Sequence, residues 1–147
     1  MVEETVAVSV ERENLLKGAK VVAVSGECNA DERASNLIDG NENTKWCDVT
    51  TAPNYVVFDL GKSTQVSGWS MINAGVEDFS YITRTCLVEG RNSESEDWKL
   101  LDMIDGNRNN VVNREFKPTT ARYNRLYVIS PCQSLGDATR IYEFGVY

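Results

Sequence analysis

From Leu15 onward the chain carries short apolar runs separated by turn-forming residues. Tyr55–Leu60 reads YVVFDL, rich in the β-branched and aromatic side chains that suit a pleated, half-buried surface, and it stops at Gly61. Gln65–Asn73 sets Val66, Trp69 and Met71 among polar neighbours. Thr83–Gly90, Trp98–Ile104, Val111–Phe116, Tyr123–Ser130 and Arg140–Tyr147 continue the series, and Lys20–Val24 opens it. Tyr123–Ser130 alternates in part, with Leu126 and Val128 facing away from their neighbours. Together these runs predict about eight strands. Helical periodicity is weak: Ala30–Ile38 (ADERASNLI) predicts a short helix, ended by the Asp39–Gly40 turn. No repeat of fixed period is visible. Strands at this spacing with little helix between them predict an all-β sandwich or jelly roll rather than a parallel α/β sheet. Residues 1–13 are charged and lack a period, which predicts a linker or loosely docked arm ahead of one domain over residues 14–147.

Composition adds exclusions. The 147 residues are 41% hydrophobic and 25% charged, ordinary for one folded domain. Net charge is −7 and the basic residues are scattered singly. Phosphate contacts dominate nucleic-acid affinity and call for a basic face, so nucleic acid is disfavoured, and an anionic membrane for the same reason. No apolar stretch approaches a membrane span, and no membrane insertion is expected. The opening MVEETVAVSVERE has four acids and no basic start, so it does not read as a secretory signal. Histidine is absent. That removes the commonest general base, the commonest metal ligand and every Ser–His or Cys–His nucleophile pair. The four cysteines, Cys28, Cys47, Cys86 and Cys132, contain no C-x-x-C pair. They allow two disulfides, one of them closing Cys28 on Cys47, or four buried thiols.

Three segments carry candidate chemistry. DGNENTKW, Asp39 to Trp46, crowds hard oxygen donors around Gly40, a pattern suited to calcium, although Asp-Gly by itself also marks a plain turn. It is not an EF-hand loop: Thr44 stands where the glycine belongs and Thr50 where the bidentate glutamate belongs. NAGVEDFSYITR, Asn73 to Arg84, joins two strands and mixes an amide, acids, an arginine and two aromatics. Sugar recognition uses this mixture, with a ring against the apolar face of a pyranose and polar groups on its hydroxyls. The plain alternative is buried aromatics beside a surface Glu77–Arg84 ion pair. RIYEFGVY, Arg140 to Tyr147, reads as a closing strand with one carboxylate, Glu143. Among 22 acids no pair stands out as a glycosidase acid and base.

ASNLIDGNENTKW, YVVFDLGK, the Trp69 strand with NAG, TRTCLVEG, WKLLD, ARYNRLYV and RIYEFGVY occur in one order over about Asn14 to Tyr147. In that order they resemble the discoidin, or coagulation-factor C-type (F5/8 type C), domains. They are most similar to the family 32 carbohydrate-binding modules of bacterial glycoside hydrolases. The resemblance implies a galactose-binding-domain-like jelly roll with one structural calcium. It places the ion among the Asn36 and Asn41 carbonyls, the Asp39 carboxylate, Thr44 through carbonyl and hydroxyl, the Tyr142 carbonyl and the Glu143 carboxylate. It also implies a shallow sugar site in end loops, here Glu27–Arg33, Asp48–Asn54, Asn73–Tyr81 and Gln133–Asp137. Asn73, Glu77 and Arg84 are the expected polar contacts, Phe79 or Tyr81 the platform, and Glu32 a reserve.

The resemblance further implies a non-catalytic, monomeric module in a multidomain chain, secreted or at the cell surface. It would tether a hydrolase to glycans ending in galactose or an N-acetylhexosamine. Galactose-binding relatives use a histidine that this chain lacks. A discoidin-type protein- or lipid-binding adhesion domain is the alternative.

Overall fold

The structure, a computed structural model, describes residues 12–134, 136 and 138–147. The expected arm therefore lies outside the described residues up to position 11, as does Asp137 of the last candidate loop.

Among the described residues seven strands form: β1 Lys20–Val24, β2 Trp46–Asp48, β3 Asn54–Asn73, β4 Thr85–Arg91, β5 Lys99–Ile104, β6 Val111–Ser130 and β7 Thr139–Val146. Two of the expected strand pairs are each one long strand. YVVFDL and QVSGWSMIN run together as β3, and Val111–Phe116 with Tyr123–Ser130 as β6. Gly61, at φ 89°, lets the β3 backbone turn where a side chain would be strained, and the pairing shifts register between Asp59 and Thr64. β2 was missed because three residues show no period. The helix expected at Ala30–Ile38 narrows to a 3₁₀ turn over Ala34–Ile38, and a second 3₁₀ turn covers Phe79–Tyr81.

Every pairing is antiparallel. The first half of β3 lies between β1 and the second half of β6, which continues to β4 and β5. The second half of β3 lies between the first half of β6 and β7, and β7 carries β2. One continuous sheet thus folds over itself into two leaves, a jelly-roll sandwich.

The leaves meet through side chains at alternate positions. Val56, Phe58, Val88, Leu126 and Val128 from one leaf bury against Trp69, Met71, Val112, Phe144 and Val146 from the other. Phe58 and Phe144 stack with ring centroids 5.7 Å apart, and Trp69 packs on Phe144 at 6.1 Å. Leu16, Ala34, Leu37 and Ile38 join the same core, so the 3₁₀ turn that precedes the Asp39 loop is anchored by burial.

Buried Trp69 donates its indole N–H to Asp102 on β5 at 2.8 Å, and Arg114 chelates the same carboxylate at 2.8 and 3.1 Å. Burial opposes the charge on Asp102, but the Arg114 and Trp69 donors outweigh it and hold the pKa below the ordinary value. Asp102→Ala leaves the indole without an acceptor and is expected to destabilise the fold by about 2 kcal/mol, read from urea unfolding at neutral pH. Because the folded pKa is lowered, the carboxylate's contribution is complete above about pH 4 and is lost as pH falls through the lowered value. The gap between variant and wild type should therefore close in acid.

Candidate functional site

The loops at one end of the sandwich are held by buried polar groups. Asp48, fully buried, accepts from the Ser25 hydroxyl and from the Thr50 N–H and hydroxyl at 2.8 and 2.7 Å. Asn54 donates to the Thr50 carbonyl at 3.1 Å and accepts from Thr139 at 2.7 Å. The Asp48–Asn54 loop is thereby fixed from both flanks. A Cys28–Cys47 disulfide and main-chain bonds from Cys28 to Cys47 (2.7 Å) and from Cys47 to Glu32 (3.1 Å) tie the Glu27–Arg33 loop to β2. Gln133 joins three further segments: its main-chain N–H reaches Ser80, and its amide donates to the carbonyls of Ile82 at 2.9 Å and Asn107 at 2.7 Å.

Between these loops lies an open pocket of about 700 Å³. Val49 and Thr51 line one side, Ile129, Pro131 and Gln133 the other, and the exposed Arg84 reaches it. Two of the four expected loops contribute to this wall. The turn at Ser130–Cys132 was not anticipated; its only sequence signal is Pro131 directly after a strand.

The six expected ligand residues separate into three groups. Asn73 is fully buried and does not face solvent. Its amide donates to the Asn110 carbonyl at 3.2 Å and accepts the Thr83 N–H at 3.1 Å, so it shapes the loop instead of offering a contact. Glu32 and Glu77 are brought together by a residue the sequence reading passed over. Lys45 Nζ stands 3.0 Å from Glu32 and 2.9 Å from Glu77, and the Tyr142 hydroxyl also donates to Glu77. Burial opposes the charges on Lys45 and Glu77, but their mutual hydrogen bonds prevail, raising the Lys45 pKa and lowering that of Glu77. The Glu77–Arg84 ion pair of the plain alternative does not form. The third group comprises Phe79, Tyr81 and Arg84. Phe79 is 47% exposed with the Arg108 guanidinium 5.0 Å from its ring centre, and Arg140 lies 3.9 Å over Tyr81.

The cysteines divide between the two readings: one disulfide, and buried thiols at Cys86 and Cys132. Burial pushes the Cys86 thiol up to about 12, which makes it inert.

The Asp39 loop and Glu143 meet beside this end. Asp39 accepts the Asn41 N–H at 2.8 Å and the Thr44 hydroxyl at 2.5 Å, and that hydroxyl also reaches the Asn41 carbonyl at 3.1 Å. Strand alternation turns Tyr142 toward Glu77 and Glu143 toward Asp39. Glu143 Oε2 is buried with no partner, and burial together with the facing Asp39 raises its pKa to about 8. Two carboxylates in contact, one with an orphaned oxygen, beside a hydroxyl and a carbonyl, form a hard-oxygen set that fits a divalent cation. Asn36, expected to offer its carbonyl, donates its side-chain amide to the Asp31 and Lys45 carbonyls at 2.8 Å each and so braces the loop. Glu42, one of the oxygen donors of the same loop, adds a third negative charge near Glu143.

The fold and the order of its segments can be compared with known proteins. Residues 21–144 match the profile of the F5/8 type C domain. The chain belongs to this family. No curated protein sequence matches the chain. Among solved structures, this F5/8 type C domain is similar to the family 32 carbohydrate-binding module of Streptococcus pneumoniae EndoD. The two are 26% identical with a TM-score of 0.80, over 92% of this chain and 99% of that one. The family 32 module of Clostridium perfringens NanJ, solved with galactose, shares the fold at 22% identity and TM-score 0.74, over 89% and 94% of the two chains. A Ruminococcus gnavus GH29 fucosidase solved with fucose is 28% identical with a TM-score of 0.78. There the match covers 96% of this chain but 28% of the fucosidase.

Proposed function

We propose that this F5/8 type C domain is a non-catalytic carbohydrate-binding module that tethers a secreted or surface-displayed bacterial glycoside hydrolase to glycans by holding a terminal sugar. The observation that carries the reading is the pocket beside Arg84, whose walls are fixed by buried hydrogen bonds before any ligand arrives. Preorganisation of this kind limits the ordering cost of binding, and it matters most for a small polar ligand in a shallow site. The 26% likeness to a carbohydrate-binding module supports the same role. Likeness to about a quarter of a fucosidase chain supports the attachment to a hydrolase. The disulfide suits an oxidising, extracellular compartment. Glu32 and Glu77 share one lysine, so neither stands as a free acid facing a base across a sugar.

Arg84 donates to sugar oxygens in this reading, with Phe79 or Tyr81 as the apolar platform. Without a histidine, an N-acetylhexosamine is at least as well served as galactose. A structural calcium joins Asp39, Asn41 and Thr44 to Glu143, and so ties the loop to the last strand; it supplies charge neutralisation and rigidity.

On a broad glycan array the protein should bind saturably. Arg84→Ala should lose at least about 1.5 kcal/mol of binding, or roughly tenfold, with an unchanged melting temperature. An array without hits would overturn the reading. The adhesion-domain alternative draws on Val76, 81% exposed beside Phe79. Co-sedimentation with phosphatidylserine vesicles, without glycan binding, would favour it.

A further inference from the structure

Within a chain of net charge −7, two arginines stand over the rings of one three-residue 3₁₀ turn, Phe79–Tyr81, and a third, Arg84, follows the turn in the chain. Arg108 covers the Phe79 ring and Arg140 the Tyr81 ring. Arg84 follows three residues after Tyr81, and its main chain is clamped on both sides, its N–H to Ser130 at 2.9 Å and its carbonyl from Asn107 at 2.8 Å. That second bond fixes the residue next to Arg108. Among the described residues none of the three forms an ion pair, whereas Arg12, Arg114, Arg122 and Arg125 each do. The nearby acids are already engaged. Glu77 holds Lys45 and the Tyr142 hydroxyl, Asp78 accepts the N–H and hydroxyl of Ser80 at 2.9 and 2.8 Å, and Asp105 accepts the Thr85 hydroxyl at 2.7 Å.

The guanidinium carbons stand 5.0 Å (Arg108) and 3.9 Å (Arg140) from the ring centres, which bears on what these cations can do. A guanidinium lying over a ring uses its face for the cation–π contact and leaves its in-plane N–H edge free. That edge is the one which pairs with an oxyanion through two parallel hydrogen bonds. The rings hold Arg108 and Arg140 in place, so little side-chain freedom is lost when a ligand binds.

Resting on the carbohydrate-binding reading above, we infer that the sugar this site selects is acidic: its oxyanion substituent, carboxylate or sulfate, is held by Arg84, Arg108 and Arg140 beside the Phe79 and Tyr81 rings. A neutral hexose would leave all three guanidinium groups without a charged partner. The acidic counterpart makes charge-assisted bonds to them.

The test uses matched pairs on the whole protein by isothermal titration. Galacturonate oligosaccharides are compared with galactose oligosaccharides, sialyllactose with lactose, and 3′-sulfolactose with lactose. The acidic member of at least one pair should bind about tenfold or more tightly at low salt, because bonds to a charged group are the stronger class. Whether the uronate and sialate arms or the sulfate arm respond identifies the oxyanion. Raising salt should shrink the preference. Arg108→Gln and Arg140→Gln, each checked for an unchanged melting temperature, should lower acidic-sugar affinity several-fold and narrow the gap between the members of each pair. If a neutral member binds as tightly as its acidic partner, the inference fails and the module reading stands. If no member of any pair binds, both fail.

Discussion

Stripping calcium from the protein with a chelator is expected to lower its melting temperature by about 5–10 °C. An ion present at a hundred times its dissociation constant stabilises the native state by about 2.7 kcal/mol, and a domain of this size shifts by about 2–4 °C for each kcal/mol. The physical cause is the contact between Asp39 and Glu143, which the fold enforces because Ala34–Ile38 and β7 are both anchored in the core. With no cation between them one carboxyl must stay protonated, and the Glu143 pKa stands at about 8. A folded pKa raised above the unfolded one contributes stability below the unfolded value, near 4, and that contribution is lost as pH rises through about 8. The ion-free protein should therefore weaken across that window. Calcium needs both groups ionised, so its stabilising increment should grow across the same window. Glu143→Gln should abolish the calcium increment and flatten the pH dependence of the ion-free form. Melting curves with and without chelator at pH 5.5 and pH 8 decide the matter; coincident curves at both would remove calcium from the account.

The second large effect belongs to Cys28–Cys47. The bridge closes a loop of 19 residues, and its removal in Cys28→Ser/Cys47→Ser should cost about 3 kcal/mol through the freedom returned to the unfolded chain. Urea unfolding should show a lower midpoint. The variant should also bind glycan more weakly, because the bridge holds the Glu32 loop beside Lys45, and Lys45 in turn orients Glu77. Reduction of the wild type should reproduce both changes, since Cys86 and Cys132 are buried and take no part. A midpoint unmoved by the double substitution would show that the loop is closed by its main-chain bonds to β2 alone.

The crowding of oxygen donors in the Asp39 loop was more legible in the sequence than the arrangement of the Asn73–Arg84 segment. Most donors assigned to the ion crowd into Asn36–Thr44, so local order alone brings them close, and Glu143 follows from the resemblance. In the Asn73–Arg84 segment the same kind of reading went astray. Asn73 had the right chemistry, but it ends β3, where pairing with β7 and the Asn110 carbonyl buries it completely. Glu77 was expected as a polar ligand contact, with a pair to Arg84 as the plain alternative, yet its partner is Lys45, 32 positions back, a contact made only when β2 and β7 pair. Arg108 and Arg140 carried no signal, because an isolated arginine reads as a solvated surface charge until a ring is seen beneath it.

By itself the sequence determined the class of fold, the position of nearly every strand core and the crowding of oxygen donors in the Asp39 loop. All three depend on residues within a few positions of one another, whose periodicity and turn chemistry act locally. The tertiary structure alone decided that two runs in β3 and two in β6 are single strands, that Cys28 pairs with Cys47 while two thiols stay buried, and that two arginines stand over the rings of one turn. Those outcomes depend on which distant segments become neighbours when one sheet folds into two leaves, and no local pattern encodes that.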